Sequence, residues 1–218
     1  IEKRNPSDFA LWKFAKTNDV SFEAPFGLGR PGWHIECSAM IEKHLAYKDE
    51  EFQIDIHGGG ADLLFPHHEN EAAQTRCSSG QNLAKYWMHN GFVNVDNEKM
   101  SKSLGNFVTV HDMLQTVDGQ VLRFFLATQQ YRKPINFTEK AIHDAEVNLK
   151  YLKNTHSLPL TEQVNQAELQ TYLDTFQEAM DDDFNTANGV TVLFDMAKWI
   201  NSGNYDQTVK DAFEKMLQ

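Results

Sequence analysis

The chain has 218 residues, with 20 Lys and Arg against 31 Asp and Glu, and carries a formal net charge of -11. Hydrophobic residues make up 41%, which is typical of a globular protein with room for one large domain or two modest ones. The acidity is uneven: residues 1–150 hold 16 basic and 20 acidic side chains, and residues 151–218 hold 4 and 11. This balance argues against phosphate-driven binding over the whole surface, although a local basic strip could still contact nucleic acid.

Cysteine content and hydropathy bear on the compartment. Cys37 and Cys77 are too few for a disulfide framework, which predicts a reducing, cytoplasmic environment. No apolar run approaches the roughly 18 residues of a membrane helix, so no membrane partner is expected. The first residue is Ile1 rather than Met, from which we expect the chain to begin within a longer protein.

The first half of the chain predicts an α/β fold. A short helix is expected over Trp33–His44, followed by a strand over 52–57 that runs into Gly58–Gly60. Pro66 suits the first position of a helix, and the next strand is expected over 87–95. Strand, glycine turn, helix and strand in this order indicate a parallel sheet.

The second half predicts a helical bundle. From Thr138 onward, apolar residues recur at three- and four-residue steps in four successive stretches, one of them after a possible cap at Asn185. The polar stretch over 154–165 is the expected domain boundary.

Histidines, cysteine and glutamate cluster between residues 34 and 89. On a helix, His67 and Glu71 share a face, and Cys37 could add a thiolate from the preceding helix. One sulfur, one nitrogen and one oxygen donor suit a catalytic Zn²⁺ with an open position. The alternative is that Cys37 is a small buried apolar residue and the histidines are merely polar. Cys77 lies outside this cluster and is expected to be structural.

Two features indicate phosphate binding. Gly58, Gly59 and Gly60 after a strand would let the backbone approach a ligand, although a simple tight turn is equally compatible. Asp62 could accept hydrogen bonds from a ribose hydroxyl or an ammonium group. In the pentapeptide K-M-S-K-S, Lys99 and Lys102 could place ammonium charges on phosphate oxygens.

Several sequence strings in the chain resemble the cysteinyl-tRNA synthetases, a family of class I aminoacyl-tRNA synthetases. They are G-R-P-G-W-H-I-E-C-S-A-M from Gly29, D-I-H-G-G-G from Asp55, F-P-H-H-E-N-E from Phe65, K-M-S-K-S from Lys99 and M-D-D-D-F-N-T from Met180. The last string looks like the opening of the family's helical anticodon-binding region. The resemblance covers nearly the whole chain.

The resemblance implies roles for particular residues. Cys37, His67 and Glu71 would be three of the four ligands of one zinc ion per subunit, whose open position receives the substrate thiolate. Trp33 would form a wall of the amino-acid pocket, with His34 and His57 orienting the ligands or the substrate. The residues expected to contact ATP are Lys102, assisted by Lys99, and the group Gly58, Gly59, Gly60 and Asp62.

The chain departs from the family pattern in one respect. Class I synthetases carry an H-I-G-H type motif and, in this family, another zinc-binding cysteine in the first half of the catalytic domain, and neither is found here. We therefore expect residues 1–95 to be the C-terminal half of a Rossmann-type catalytic domain. Residues 96–153 would be a connecting segment that bears K-M-S-K-S, and residues 154–218 the start of the bundle. This chain alone is expected to be inactive.

The implied activity is ligation of L-cysteine to tRNA(Cys), with ATP and Mg²⁺, by a monomeric cytoplasmic enzyme. One alternative is the cysteine ligase of mycothiol synthesis, and another is a non-catalytic zinc module derived from a synthetase. A basic strip is expected to contact the tRNA backbone; it comprises Arg123, Arg132, Lys133 and Lys140.

Overall fold

A computed structural model describes residues 3–18, 20–161 and 164–217 of the chain, apart from the side chain of Lys102. The chain divides between Asn90 and Gly91 into two compact units, each with its own buried core. None of the helices in the described ranges is long and apolar enough to cross a membrane.

The first unit is a small α/β assembly. Its elements are β1 (Trp12–Phe14), β2 (Gly29–Pro31), α1 (Trp33–His44), β3 (Phe52–Gly60), α2 (Glu69–Ser79) and β4 (Asn82–Asn90). Strands β1 and β2 form an antiparallel pair, and β3 and β4 form a parallel pair. A buried apolar core joins α1 to the parallel pair through Ile41, Ile54, Leu83 and Ala84.

The observed elements confirm most of the sequence prediction for this unit. Helix α1 has the predicted bounds, and β3, α2 and β4 form the predicted parallel β-α-β unit. The glycines Gly58–Gly60 belong to the end of β3, and α2 begins at Glu69 after an irregular turn over Leu64–His68. The carboxyl ends of β3 and β4 therefore lie together, which is where open parallel sheets bind ligands.

The second unit contains a small sheet and the helices. Its elements are β5 (Val93–Val95), β6 (Glu98–Lys99), α3 (Val110–Met113), α4 (Gly119–Ala127), β7 (Ile135–Phe137), α5 (Glu139–His156), α6 (Gln166–Asp181), α7 (Thr186–Asn201) and α8 (Gln207–Leu217). Strand β5 pairs antiparallel with β6 and parallel with β7.

The prediction of one strand over 87–95 is wrong. The chain leaves β4 after Asn90, and Val93 begins a strand of a different sheet. At the break, the Gly91 amide donates to the Tyr131 carbonyl at 2.8 Å, and a Cβ at residue 91 would lie 2.4 Å from the carbonyl carbon of Lys133. Only glycine permits this close approach, so the chain changes its pairing partner here.

The predicted four-helix pattern is confirmed. Thr138, Asn165 and Asn185 cap α5, α6 and α7 through their side-chain oxygens. The apolar stripes meet in a core that includes Leu152, Met196, Tyr205, Val209 and Phe213. Helix α5 is continuous to His156, across the boundary expected between residues 153 and 154. The division of the chain into residues 1–95, 96–153 and 154–218 stays a prediction.

Candidate metal centre and nucleotide loop

Three of the predicted metal ligands converge in the first unit. Cys37 comes from the second turn of α1, His67 from the turn before α2, and Glu71 from the first turn of α2. One donor atom from each lies within 4.8 Å of the others. Because two helices and a turn supply these donors, the grouping depends on how α1 and α2 pack and not on spacing along the chain alone.

Glu71 is the most deeply buried of the three residues. Its side chain has no exposed surface, and Oε2 lies 3.4 Å from Nε2 of His67 and 3.2 Å from Nε2 of His57. Its other oxygen, Oε1, is buried with no hydrogen-bond donor among the described residues. A buried carboxylate with an unsatisfied oxygen is costly unless it is neutralised, so the cluster fits a bound cation.

A second layer of side chains orients His67. Nδ1 of His67 lies 2.8 Å from Nδ1 of His34, which leaves Nε2 directed at Glu71. The Trp33 indole stacks on the His67 ring with 4.3 Å between centroids and 17° between planes. Such partners fix the orientation of a ligating imidazole. Burial, followed by the neighbouring His67, lowers the pKa of His34 below its usual value.

The surroundings of Cys37 disfavour a free thiolate. Burial raises the pKa of the Cys37 thiol above its usual value, and the charges of Glu71 and Glu36 raise it further. A cation at the cluster would reverse this balance, because it would attract the thiolate and the carboxylate together. Cys77 is an exposed free thiol and does not belong to the group formed by Cys37, His67 and Glu71; its structural role stays a prediction.

A hydrogen bond between α1 and α2 lies directly beside these ligands. Ser38 follows Cys37 and donates its hydroxyl hydrogen to Oε1 of Gln74, at 2.5 Å. Gln74 lies on α2, three residues after Glu71. The pair of Ser38 and Gln74 was not identified from the sequence. One signal was available for Gln74, since the seven-residue spacing from His67 places it on the same helix face as that ligand.

A further group of histidines lies next to the cluster. Nδ1 of His68 is 2.8 Å from Nε2 of His89, and the Trp87 ring packs against both residues. Burial, followed by the charge of the neighbouring His57, lowers the pKa of His68 to about 4. Since β3 and β4 are in register at Gly59 and His89, the sheet brings His89 to this position.

Of the three glycines at the end of β3, Gly59 is the one that local packing requires. A Cβ at Gly59 would lie 2.9 Å from Cε1 of His68, and one at Gly60 would lie 2.5 Å from a carboxylate oxygen of Asp62. A Cβ at Gly58 would meet nothing closer than 3.5 Å. Gly59 thus makes room for a histidine, and the role of Gly58–Gly60 and exposed Asp62 in nucleotide binding stays a prediction.

The K-M-S-K-S segment of the second unit is organised by Asn106. Its Oδ1 accepts from the Ser101 amide at 2.8 Å, and its Nδ2 donates to the Lys99 carbonyl at 3.3 Å. The Lys99 ammonium lies 3.8 Å from the centroid of the Phe92 ring, a cation–π contact. The side chain of Lys102 lies outside what the structure describes. The sequence contains Asn106 directly after Gly105, a turn signal that could have indicated its role.

The predicted basic strip is partly neutralised. Arg132 forms an ion pair with Asp183, through Nε to Oδ2 and through Nη2 to Oδ1 at 3.0 Å. Lys140 pairs with Asp144 at 2.6 Å. Arg132 and Lys140 therefore already have carboxylate partners, which reduces the attraction that was expected for a nucleic-acid backbone.

Solved structures with a similar fold are tRNA synthetases. The LeuRS of Agrobacterium radiobacter K84 (agnB2), in a ternary complex with tRNA and LeuAMS, matches with a TM-score of 0.57 and 17% identity, over 75% of this chain and 25% of that one. Methionyl-tRNA synthetase of Mycobacterium tuberculosis, bound to methionyl-adenylate, matches with a TM-score of 0.50 and 17% identity, over 75% of this chain and 38% of that one. At this identity the likeness concerns the fold alone.

Family comparison gives the assignment in two steps. Residues 1–147 match the family described as "tRNA synthetases class I (C) catalytic domain", so the mixed α/β part is a class I synthetase catalytic domain. Residues 175–218 match the family described as "DALR domain". The chain belongs to the class I (C) family, the cysteinyl-tRNA synthetases.

Curated relatives agree with this assignment. Cysteine--tRNA ligase of Streptococcus thermophilus (strain CNRZ 1066) is 79% identical over 216 residues, and Cysteine--tRNA ligase of Streptococcus pyogenes serotype M3 (strain ATCC BAA-595 / MGAS315) is 72% identical over 215 residues. Each match covers 99% of this chain and 47% of the relative. The chain thus spans about half the length of these relatives.

Proposed function

We propose that the chain forms part of the catalytic site of an enzyme that activates L-cysteine with ATP and transfers it to tRNA(Cys). The observation that carries this proposal is the convergence of Cys37, His67 and Glu71 within 4.8 Å, around a buried carboxylate with an unsatisfied oxygen. A thiolate, an imidazole and a carboxylate are a donor set that zinc prefers.

Cysteine selection is proposed to depend on this donor set. Cys37, His67 and Glu71 would hold the zinc, and Zn²⁺ when bound supplies a position that prefers a sulfur ligand over a hydroxyl. The His34 contact would fix the ring of His67, and the exposed face of Trp33 would form a wall of the amino-acid pocket. His57, 3.2 Å from Glu71, would orient that carboxylate or the substrate.

Two sets of residues are proposed to contact ATP: the lysines of the K-M-S-K-S segment, and the glycines that end β3 with Asp62. The carboxylate of cysteine is itself the nucleophile toward the α-phosphate, so the protein needs to supply positioning and positive charge rather than a general base. Lys99 and Lys102 would supply that charge, with Mg²⁺ bound to the phosphates. Gly58–Gly60 and Asp62 would contact the nucleotide.

The domain arrangement implied by the sequence is part of this proposal. Residues 1–95 would be the C-terminal half of a Rossmann-type domain, residues 96–153 the connecting segment and residues 154–218 the start of a bundle that contacts tRNA. The DALR match over 175–218 supports a tRNA acceptor over the amino-sugar acceptor of mycothiol synthesis.

A chimera tests the proposal directly. This chain would replace the matching 216 residues of the Streptococcus thermophilus ligase, and cysteine-dependent pyrophosphate exchange and tRNA charging would be measured. We expect activity in the chimera and only background in the 218-residue chain alone. A chimera that binds cysteine but charges an amino-sugar acceptor instead of tRNA would contradict the tRNA assignment.

Within the chimera, Cys37→Ser should abolish most cysteine activation. Loss of an outer partner of a metal ligand already costs about 10- to 100-fold, so loss of a ligand should cost at least as much. The matched control is Cys77→Ser, which removes an exposed thiol outside the cluster. Retention of zinc and of exchange activity in Cys37→Ser would show that Cys37 is not a ligand.

Lys102→Ala in the same chimera should slow adenylate formation far more than it weakens cysteine binding. A charge that acts on the developing phosphate charge contributes to the transition state and little to the ground state. Single-turnover adenylate formation and the KM for cysteine would be measured, with Lys48→Ala as the surface control. Equal losses in the two quantities would count against the assigned role.

A further inference from the structure

Glu71 lies between two sets of metal-binding side chains, of which the proposed zinc site uses one. Besides the group with Cys37 and His67, a second group consists of His57, His68 and Glu71, and its donor atoms also lie within 4.8 Å of one another. The shared carboxylate oxygen is 3.2 Å from Nε2 of His57 and 3.4 Å from Nε2 of His67. Glu71 therefore stands between one imidazole of each group.

The second group has the orienting contacts that a metal site requires. The His68 side chain is buried, and its Nδ1 is bonded to Nε2 of His89 at 2.8 Å. This bond leaves Nε2 of His68 available to bind a metal, which is the usual arrangement of a metal-ligating histidine and its outer partner. A Cβ at residue 59 would lie 2.9 Å from Cε1 and 3.2 Å from Nε2 of His68. Gly59 is therefore needed for the His68 ring to occupy this position.

The Glu71 carboxylate has lone pairs for more than one cation. Oε1 of Glu71 has no donor among the described residues, and the carboxylate is wholly buried. A carboxylate has about four lone-pair sites and can therefore serve two metals at once. Two imidazoles and one carboxylate are a donor set for divalent metals of intermediate softness such as Zn²⁺, Co²⁺ and Ni²⁺.

We propose that His57, His68 and Glu71 form a second divalent-metal site next to the first, with Glu71 shared between the two ions. The second site lacks a thiolate, so it binds more weakly than the Cys37 site and fills after it. Because His57 also belongs to the proposed cysteine pocket, metal in the second site withdraws that residue from the substrate.

Metal stoichiometry tests the second site on the tag-free 218-residue chain. The protein is stripped with a chelator and titrated with Zn²⁺ against a chromophoric competitor, and the bound metal is counted by elemental analysis. We expect two equivalents of unequal affinity. His68→Gln and His57→Ala should each bind one equivalent, whereas His44→Ala, which alters an exposed histidine of α1 outside both groups, should still bind two.

Cobalt distinguishes the two sites spectroscopically. The first equivalent of Co²⁺ should give a thiolate-to-cobalt charge-transfer band in the near ultraviolet, and the second should add only ligand-field absorption. Cys37→Ser should retain one equivalent without the charge-transfer band. Circular dichroism of each variant would confirm that it folds. If one of the two histidine variants does not fold, the other suffices to test the second metal site.

The outcomes separate this proposal from the proposed function. A single equivalent in the unaltered chain, or two equivalents in both His68→Gln and His57→Ala, would overturn the second site and leave the first intact. Absence of the charge-transfer band in the unaltered chain would instead contradict the Cys37 site. In that case, loss of one metal equivalent in His68→Gln would still support the second metal site.

Discussion

At the residue scale, His67 is the most constrained side chain of the metal centre. One ring nitrogen contacts His34, the ring face contacts Trp33 and the other nitrogen points to Glu71. Three neighbours thus restrain the position and the ring plane of a single ligand before any metal binds, which is how a binding site is preorganised.

Removing the His34 contact should weaken metal binding without removing a ligand. We expect His34→Ala to lower zinc affinity by about 10- to 100-fold, the usual effect of losing an outer partner of a ligating histidine. Competition with a chromophoric chelator would measure the change in the 218-residue chain. His44→Ala on the exposed face of α1 is the control. Unchanged affinity in His34→Ala would mean that the Trp33 stack alone orients the ring.

The two cysteines illustrate how surroundings decide the role of identical side chains. Cys37 is partly buried beside Glu71, and its thiol pKa is raised, whereas Cys77 is exposed on α2. The sequence distinguished them only by their distance from the histidines.

At the element scale, the turn between α6 and α7 is held by the segment before β7. Asp183 and Phe184 both have φ values of 52°, in the left-handed region that aspartate tolerates and that is unfavourable for a bulky residue such as phenylalanine. The Asp183 carboxylate accepts from Tyr131 at 2.8 Å and pairs with Arg132, and the Thr186 hydroxyl donates to the Gln129 carbonyl at 3.0 Å. These contacts offset the backbone strain and connect the turn to a distant part of the same unit.

Asp183→Asn should destabilise the second unit in a pH-dependent manner. Hydrogen bonds from Arg132 and Tyr131 lower the pKa of Asp183 below its usual value. The stabilisation is therefore present above the usual aspartate pKa of about 4 and is lost as the pH falls through the lower value of the folded state.

Thermal unfolding at several pH values would measure this difference. The gap in Tm between the unaltered chain and Asp183→Asn should be greatest near neutral pH and should close in acid. Asp182→Asn is the matched control, since its carboxylate accepts from the Asn185 amide group and not from an arginine. A gap that does not depend on pH would contradict the role of the Asp183 charge.

At the scale of the whole molecule, the metal ligands belong to one of the two compact units. Both proposed sites lie between residues 34 and 89, in the unit that ends at Asn90. The bundle helices have a separate apolar core around Leu152 and Phe213.

Zinc should therefore slow amide hydrogen exchange in one part of the chain only. A ligand at 100 times its Kd stabilises the state that binds it by about 2.7 kcal/mol. We expect slower exchange in α1 and α2, which supply Cys37 and Glu71, and little change in α6, α7 and α8. Mass spectrometry with and without zinc would measure the effect, and Glu71→Gln should abolish it. Equal protection of the bundle, or protection that persists in Glu71→Gln, would contradict this expectation.

Local signals were sufficient for most elements of the fold. The bounds of α1, the strand β3 and the cap at Asn185 follow from periodicity and capping chemistry, which act over a few residues. The strand expected over 87–95 failed because Gly91 contacts Lys133, more than forty residues away, and no local pattern reports such a contact.

The sequence by itself determined the family, the elements and the candidate ligands, because these depend on residue identity, spacing and motif order. Only the tertiary structure decided that Glu71 is wholly buried between His57 and His67, and that Arg132 of the expected basic strip is paired with Asp183. The physical reason is that burial and pairing depend on which distant segments pack together. Those contacts determine the charge that a side chain can present to a ligand.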